Sequence, residues 1–192
     1  VGPNADDAQT QLGDWAGSSG QAAWIAHGQP RDMITTVLDG LRDLAPAGSE
    51  VTHARGAEII TTGPDPIGDF FPDGQPRPHI AFPVDPDPAQ IAQAVEAARG
   101  ADAVVAVLGD RIELVGEGRS TATLELQGGQ AALLDALVET GAPVILVVLA
   151  SKPHALPASA DRAAAVVWAA NPGMAGGRAI APQLAVAAWG EA

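Results

Sequence analysis

The sequence predicts an α/β fold in which parallel strands are joined by helical crossovers, and three observations carry that prediction. Residues 102–108 (DAVVAVL) and 143–149 (PVILVVL) have the length, β-branched content and flanking turn residues of buried strands. Each follows a stretch of helical period, 88–99 (PAQIAQAVEAAR) and 129–140 (GQAALLDALVET), and such alternation favours parallel strands with helical connections. The apolar content, 47% of 192 residues, comes from Ala, Val, Leu and Ile, with only four Trp, three Phe and no Tyr, which suits an aliphatic sheet covered by helices.

Taken in chain order, residues 1–6 (VGPNAD) read as the loop leaving a strand whose body would precede Val1. Residues 31–44 place Ile34, Val37, Leu38 and Leu41 on one helical face, leading into a short strand at 50–54 (EVTHA). Residues 56–88, rich in Pro, Gly and Asp, cannot donate a regular ladder and read as a long surface insertion, with Phe70 and Phe71 pinning it to the domain or meeting a partner. A third strand is expected at 164–169 (AAVVWA). The helix expected from Met174 meets Pro182 within a few residues, and the remainder reads as one further short helix, so residues 182–192 form an atypical tail beyond a domain of residues 1–181.

The balance of 10 Lys and Arg against 23 Asp and Glu gives a formal charge of -13, which repels phosphate backbones and anionic bilayers, so neither nucleic acid nor membrane is expected as a partner. No apolar run approaches the roughly 20 residues that cross a bilayer, and no basic then apolar opening marks a signal peptide, which favours a cytoplasmic location. There is no cysteine, and His27, His53, His79 and His154 lack metal-ligand spacing; no metal and no cofactor is expected.

In a parallel sheet, ligands gather at the carboxyl ends of the strands. The loops delivered there span 2–20, 109–127, 150–160 and 170–177, and carry Asp6, Asp14, Trp15, Asp110, Glu113, Glu117, Arg119, Ser151, Lys152, His154 and Asn171. The loop 108–126 (LGDRIELVGEGRSTATLEL) sets four carboxylates and two arginines between a strand and a helix, where desolvation can raise a carboxyl group toward acid-catalyst range; Glu117 is the best placed. The plainer reading is a solvated loop with local Arg pairs. Ser151 and His154, in LASKPH, offer a nucleophile and a base for an esterase, against a turn-capping serine beside a surface histidine, and no G-x-S-x-G elbow accompanies them. The Gly116-Glu117-Gly118 triplet lacks the rest of a dinucleotide motif, and the glycines of 171–177 fit close helix–sheet packing better than an anion site.

VGPNAD at 1–6, LGDWAG at 12–17, TVLDGLR at 36–42, ADAVVAVLGD at 101–110, EGRSTATLELQGGQAALLDAL at 117–137 and NPGMAGGRAIA at 171–181 fall in the order and spacing of one known domain. The chain resembles the C-terminal α/β sandwich of glycoside hydrolase family 3, the β-glucosidase family. The resemblance implies a flavodoxin-like three-layer sandwich with a mostly parallel sheet of about six strands, packed in the intact enzyme against an N-terminal barrel that supplies an Asp nucleophile. It implies Glu117 as the acid/base, with Glu113 as the alternative. Asp14, Trp15, Asp110, Arg119 and Asn171 then line a β-glucoside-like sugar. Retaining hydrolysis needs two carboxyl groups about 5 Å apart, and this chain offers one, so it is expected to be inactive alone as a glycosidase. The barrel-facing surface is expected to expose apolar groups that a second copy can cover. A carbohydrate-binding or partner-binding module is the other function the loops allow.

Overall fold

A computed structural model describes residues 1–14, 31–116 and 119–189. At its centre lie three parallel strands, β3 (Val104–Gly109), β4 (Val144–Leu149) and β5 (Ala165–Trp168), in the spatial order β3-β4-β5. The register sets Val104 opposite Val144 and Gly109 opposite Leu149, and Ile145 opposite Ala165. All six residues of β4 are buried, as a central strand covered on both faces requires.

The two faces of β4 separate cleanly. Val144, Leu146 and Val148 pack with Ala94 and Ala98 of helix α2 (Pro88–Ala98) and with Leu133, Leu134 and Leu137 of α3 (Gln130–Val138). Ile145, Val147 and Leu149 pack with Val37 and Leu41 of α1 (Val37–Leu44) and with Ile180, Ala181 and Leu184 of α4 (Gly176–Trp189). The architecture is therefore the expected α/β/α sandwich, with a period-2 strand feeding two separate apolar layers.

The ends of the helices are set locally. Thr36 caps α1 by accepting from the Asp39 N–H while the Asp39 carboxylate accepts from the Thr36 N–H. Asp87 caps α2 by accepting from the Ala89 and Gln90 N–H groups, with Pro88 in the first helical position. At the crossing of α1 and α4, a Cβ on Gly40 would stand 2.3 Å from the Gly177 carbonyl oxygen, and one on Gly177 would stand 1.9 Å from that of Thr36. Only glycine lets these backbones meet.

Three expectations about elements are corrected. The parallel sheet has three strands among the described residues rather than six. On the free edge of β3 the Val1 amine donates to the Val105 carbonyl (2.8 Å), Val107 N–H donates to that of Val1 (3.0 Å), and Gly2 N–H donates to that of Ala54 (3.1 Å). Residues 1–2 and Ala54 thus continue the sheet by single contacts, too short to register as strands, and the strand expected at 50–54 is reduced to this. Second, the insertion is not without regular structure: β1 (Ile60–Gly63) pairs antiparallel with β2 (Ile80–Pro83). The β-branched residues sit at its two ends, while the prolines cluster between them. Phe70 and Phe71 are exposed rather than buried; Arg77 holds this turn by lying 4.3 Å over the Phe71 ring and pairing with Asp65 at 3.0 Å. Third, α4 passes through Pro182 as one helix. Pro182 is exposed while Ile180, Ala181 and Leu184 anchor the inner face, so packing outweighs the missing hydrogen bond.

Candidate functional site

The exit of β3 is the best-tied point of the carboxyl edge. Gly109 leaves the strand at φ 141°, with its Cα so close to β4 that a Cβ would lie 1.9 Å from the Leu149 carbonyl oxygen. The fully buried Gln130 side chain accepts from the Gly109 N–H (2.7 Å) and donates to its carbonyl (2.9 Å) and to that of Gln127 (3.0 Å). The equally buried Asn4 amide donates to the Asp110 carbonyl at 3.0 Å.

Beyond this point the chain turns through a buried charge cluster. Asp110 is 1% exposed. Its Oδ1 lies 3.0 Å from Lys152 Nζ and 3.2 Å from His154 Nε2, both on the loop after β4. The same ammonium donates to the Leu114 carbonyl at 3.2 Å. His154 Nδ1 is 2.9 Å from the Leu124 carbonyl, which only accepts, so Nδ1 carries the hydrogen.

Around the cluster the other loops close in. The Asp14 carboxylate packs on the backbone of Gly116, where a Cβ would meet its Oδ2 at 1.9 Å. Gly13 abuts the Asn171 side chain, and Asn171 exchanges hydrogen bonds with Ser151 Oγ at 2.9 and 3.1 Å. Both carboxylate oxygens of Glu113 accept from Arg111 (3.0 and 3.2 Å), which also faces Asp7 at 3.8 Å, while Arg119 donates to the Glu113 carbonyl at 3.4 Å.

The structure thus brings Asp14, Asp110, Glu113, Arg119, Ser151, His154 and Asn171 to one sheet edge. Trp15 and Glu117 lie outside the described residues. Ser151 and His154 do not meet as nucleophile and base: the hydroxyl is paired with Asn171, and both imidazole nitrogens face other partners. Asp110 is an internal strut rather than a group open to a sugar. Sequence reasoning assigned no role to Asn4, Gln130 or Lys152. The only signal for the first two was a polar residue beside a strand end or a helix start, and Lys152 stood next to the proposed Ser151. A cavity of about 520 Å³ lies elsewhere, between Val1, Val37, Leu41, Val51 and Val105, and touches these loops only at Ala5. No group of His, Asp and Glu among the described residues is arranged to hold a metal, and no described helix is long and apolar enough to cross a membrane.

Residues 1–188 match the profile of the glycosyl hydrolase family 3 C-terminal domain. The chain belongs to glycoside hydrolase family 3. Within that family it is 33% identical to the periplasmic β-glucosidase of Salmonella typhimurium over 186 residues, 96% of this chain and 22% of that protein. It is 28% identical to a β-xylosidase of Formosa agariphila over 181 residues, 94% of this chain and 21% of that one. A solved β-glucosidase from intestinal bacteria, involved in saponin metabolism, superposes with a TM-score of 0.88 at 52% identity, covering 98% of this chain and 27% of that one. This family 3 domain therefore spans about a fifth to a quarter of the relatives it matches.

Proposed function

We propose that this domain furnishes the proton-donating half of a retaining β-glucoside hydrolase, with Glu117 as acid/base and an Asp nucleophile contributed by a family 3 barrel. The observation that carries the reading is the convergence of four loops on one sheet edge. The Asp14 carboxylate packs on Gly116, the residue just before Glu117. Hydrolysis with retention requires a second carboxyl group about 5 Å away, so the isolated chain has a proton donor and no nucleophile. Glu113, the other acid/base candidate, is taken up by Arg111. In this reading Asp14, Trp15, Arg119 and Asn171 would contact sugar hydroxyls, and the position of Asp14 and Asn171 on the same sheet edge as Gly116 supports it for those two; no cofactor enters the chemistry. Val166 and Trp168, 49% and 60% exposed on the edge strand β5, support an apolar contact with the barrel, or with a second copy when the barrel is absent.

The test is an aryl β-glucoside assay. The chain alone should give no turnover above background. Joined to a family 3 barrel it should turn over, and Glu117→Gln should then lower kcat on the order of a hundredfold or more. Robust turnover by the chain alone, or a joined Glu117→Gln variant of undiminished activity, would defeat the proposal.

A further inference from the structure

The geometry points to Lys152 and His154 as positioning residues that fix both arms of the loop carrying Glu117. This rests on the reading of Glu117 as proton donor. The loop leaves β3 at Gly109 and reaches α3 at Gln130, and it is held from one side by the loop that follows β4. Lys152 donates to the carbonyl of Leu114, three residues before Glu117, and His154 to that of Leu124, seven residues after it, where the Ala155 N–H joins it at 2.9 Å. Both side chains also meet the same oxygen of Asp110, at 3.0 and 3.2 Å, at the root of the first arm.

Three points of one loop are thereby tied to a four-residue stretch of another that is rooted in the fully buried strand β4. Pro153, between the two donors, restricts the backbone so that both reach across together. The His154 side chain is 2% exposed. It therefore offers a buried donor fixed in direction, unlike a solvated side chain that samples many rotamers. A proton donor contributes to catalysis only when held within hydrogen-bond reach of the leaving oxygen, and this clamp grips the loop on both sides of Glu117 from one rigid strand.

Two measurements test the proposal. In the chain as it stands, Lys152→Met and His154→Phe should each speed amide hydrogen exchange across 111–116 and 119–126 by about tenfold or more, a local opening separate from any general rise in β3, β4 and β5 that follows from lost global stability. If Lys152→Met fails to fold, His154→Phe, which removes the tie to Leu124 and leaves the Lys152–Asp110 pair in place, carries the test; Lys152→Arg, which keeps a charged donor, should largely retain protection. In the barrel-joined form, the same variants should lower kcat/KM, which reports the first step, on the order of a hundredfold for a glucoside of a poorly acidic alcohol, which needs the proton, and far less for a dinitrophenyl glucoside, which does not. Glu117→Gln must show that same dependence on leaving group, and its absence would overturn the acid assignment and this proposal with it. If Glu117→Gln shows the dependence while the Lys152 and His154 variants slow both glucosides equally, or leave loop exchange unaltered, the positioning role is overturned and the acid reading stands.

Discussion

When the 192-residue chain is prepared by itself, its α-amine at Val1 lies within the sheet, donating to Val105, and burial lowers its pKa from 8.0 to about 6. Acetylating it removes the charge and should alter how stability depends on pH. Above about pH 8 the amine is neutral whether the chain is folded or not, and it contributes no penalty. Below about pH 6 it is protonated in both states, and the folded protein carries a buried charge. Between these limits the unfolded chain holds a proton that the folded chain does not, so stability rises with pH by about 1.4 kcal/mol per unit. The fall from 8.0 to about 6 therefore corresponds to about 2.7 kcal/mol. Urea unfolding of both forms from about pH 5.5 to about pH 8.5 should show the acetylated chain more stable by about 2–3 kcal/mol at the acid end, the difference vanishing at the alkaline end. His53 has its pKa lowered first by burial and then by the Val1 charge. Its own contribution cancels in the comparison, and release from the Val1 charge adds slightly to the gain at low pH. A difference independent of pH, or one that grows as pH rises, would refute the argument.

Three further outcomes follow from the packing. Gly40→Ala and Gly177→Ala should each lower stability by about 1–3 kcal/mol in urea titrations, and the double variant by less than the sum, since both act at one helix crossing; unchanged midpoints would show that α1 and α4 can separate freely. Gln130→Ala leaves the buried N–H and C=O of Gly109 unpaired and should cost about 2–3 kcal/mol by the same assay. Lys152→Met alone leaves the Asp110 charge buried with only His154 beside it and should cost about 3–5 kcal/mol, whereas Asp110→Leu, Lys152→Met and His154→Phe together should cost far less; equal losses would count against a charge-burial origin.

Much of the framework was legible because its signals are local. The buried strands announce themselves as β-branched runs, and the capping residues Thr36 and Asp87 sit directly before their helices. The edge of the sheet was less legible, since pairing at Val1 and Ala54 depends on a few backbone contacts that no periodicity reports. The hairpin of β1 and β2 was hidden because its two halves are separated by 16 residues of proline-rich chain. The convergence of Asp14, Asn171 and the 108–126 loop followed from strand polarity alone. The partnerships inside it did not: Lys152 and Asp110 are 42 residues apart, and Ser151 looked toward His154 in sequence but pairs with Asn171 in space.

The Asp110 cluster raises the question of why charge is buried in a domain whose core is otherwise aliphatic. Asp110 is 1% exposed, and a carboxylate withdrawn from water to that degree gives up hydration that burial makes costly. Apolar residues of similar size would serve stability as well or better. What they cannot do is direct two donors at two chosen carbonyls. Lys152 reaches Leu114 while its ammonium pairs with Asp110 Oδ1, and His154 reaches Leu124 with its Nε2 3.2 Å from that same oxygen. Apolar contacts are non-directional and would let the loop slide. Charge and hydrogen bonding fix its register, as the proposed role of Glu117 would require, and the expense of burying Asp110 falls where geometry matters more than stability.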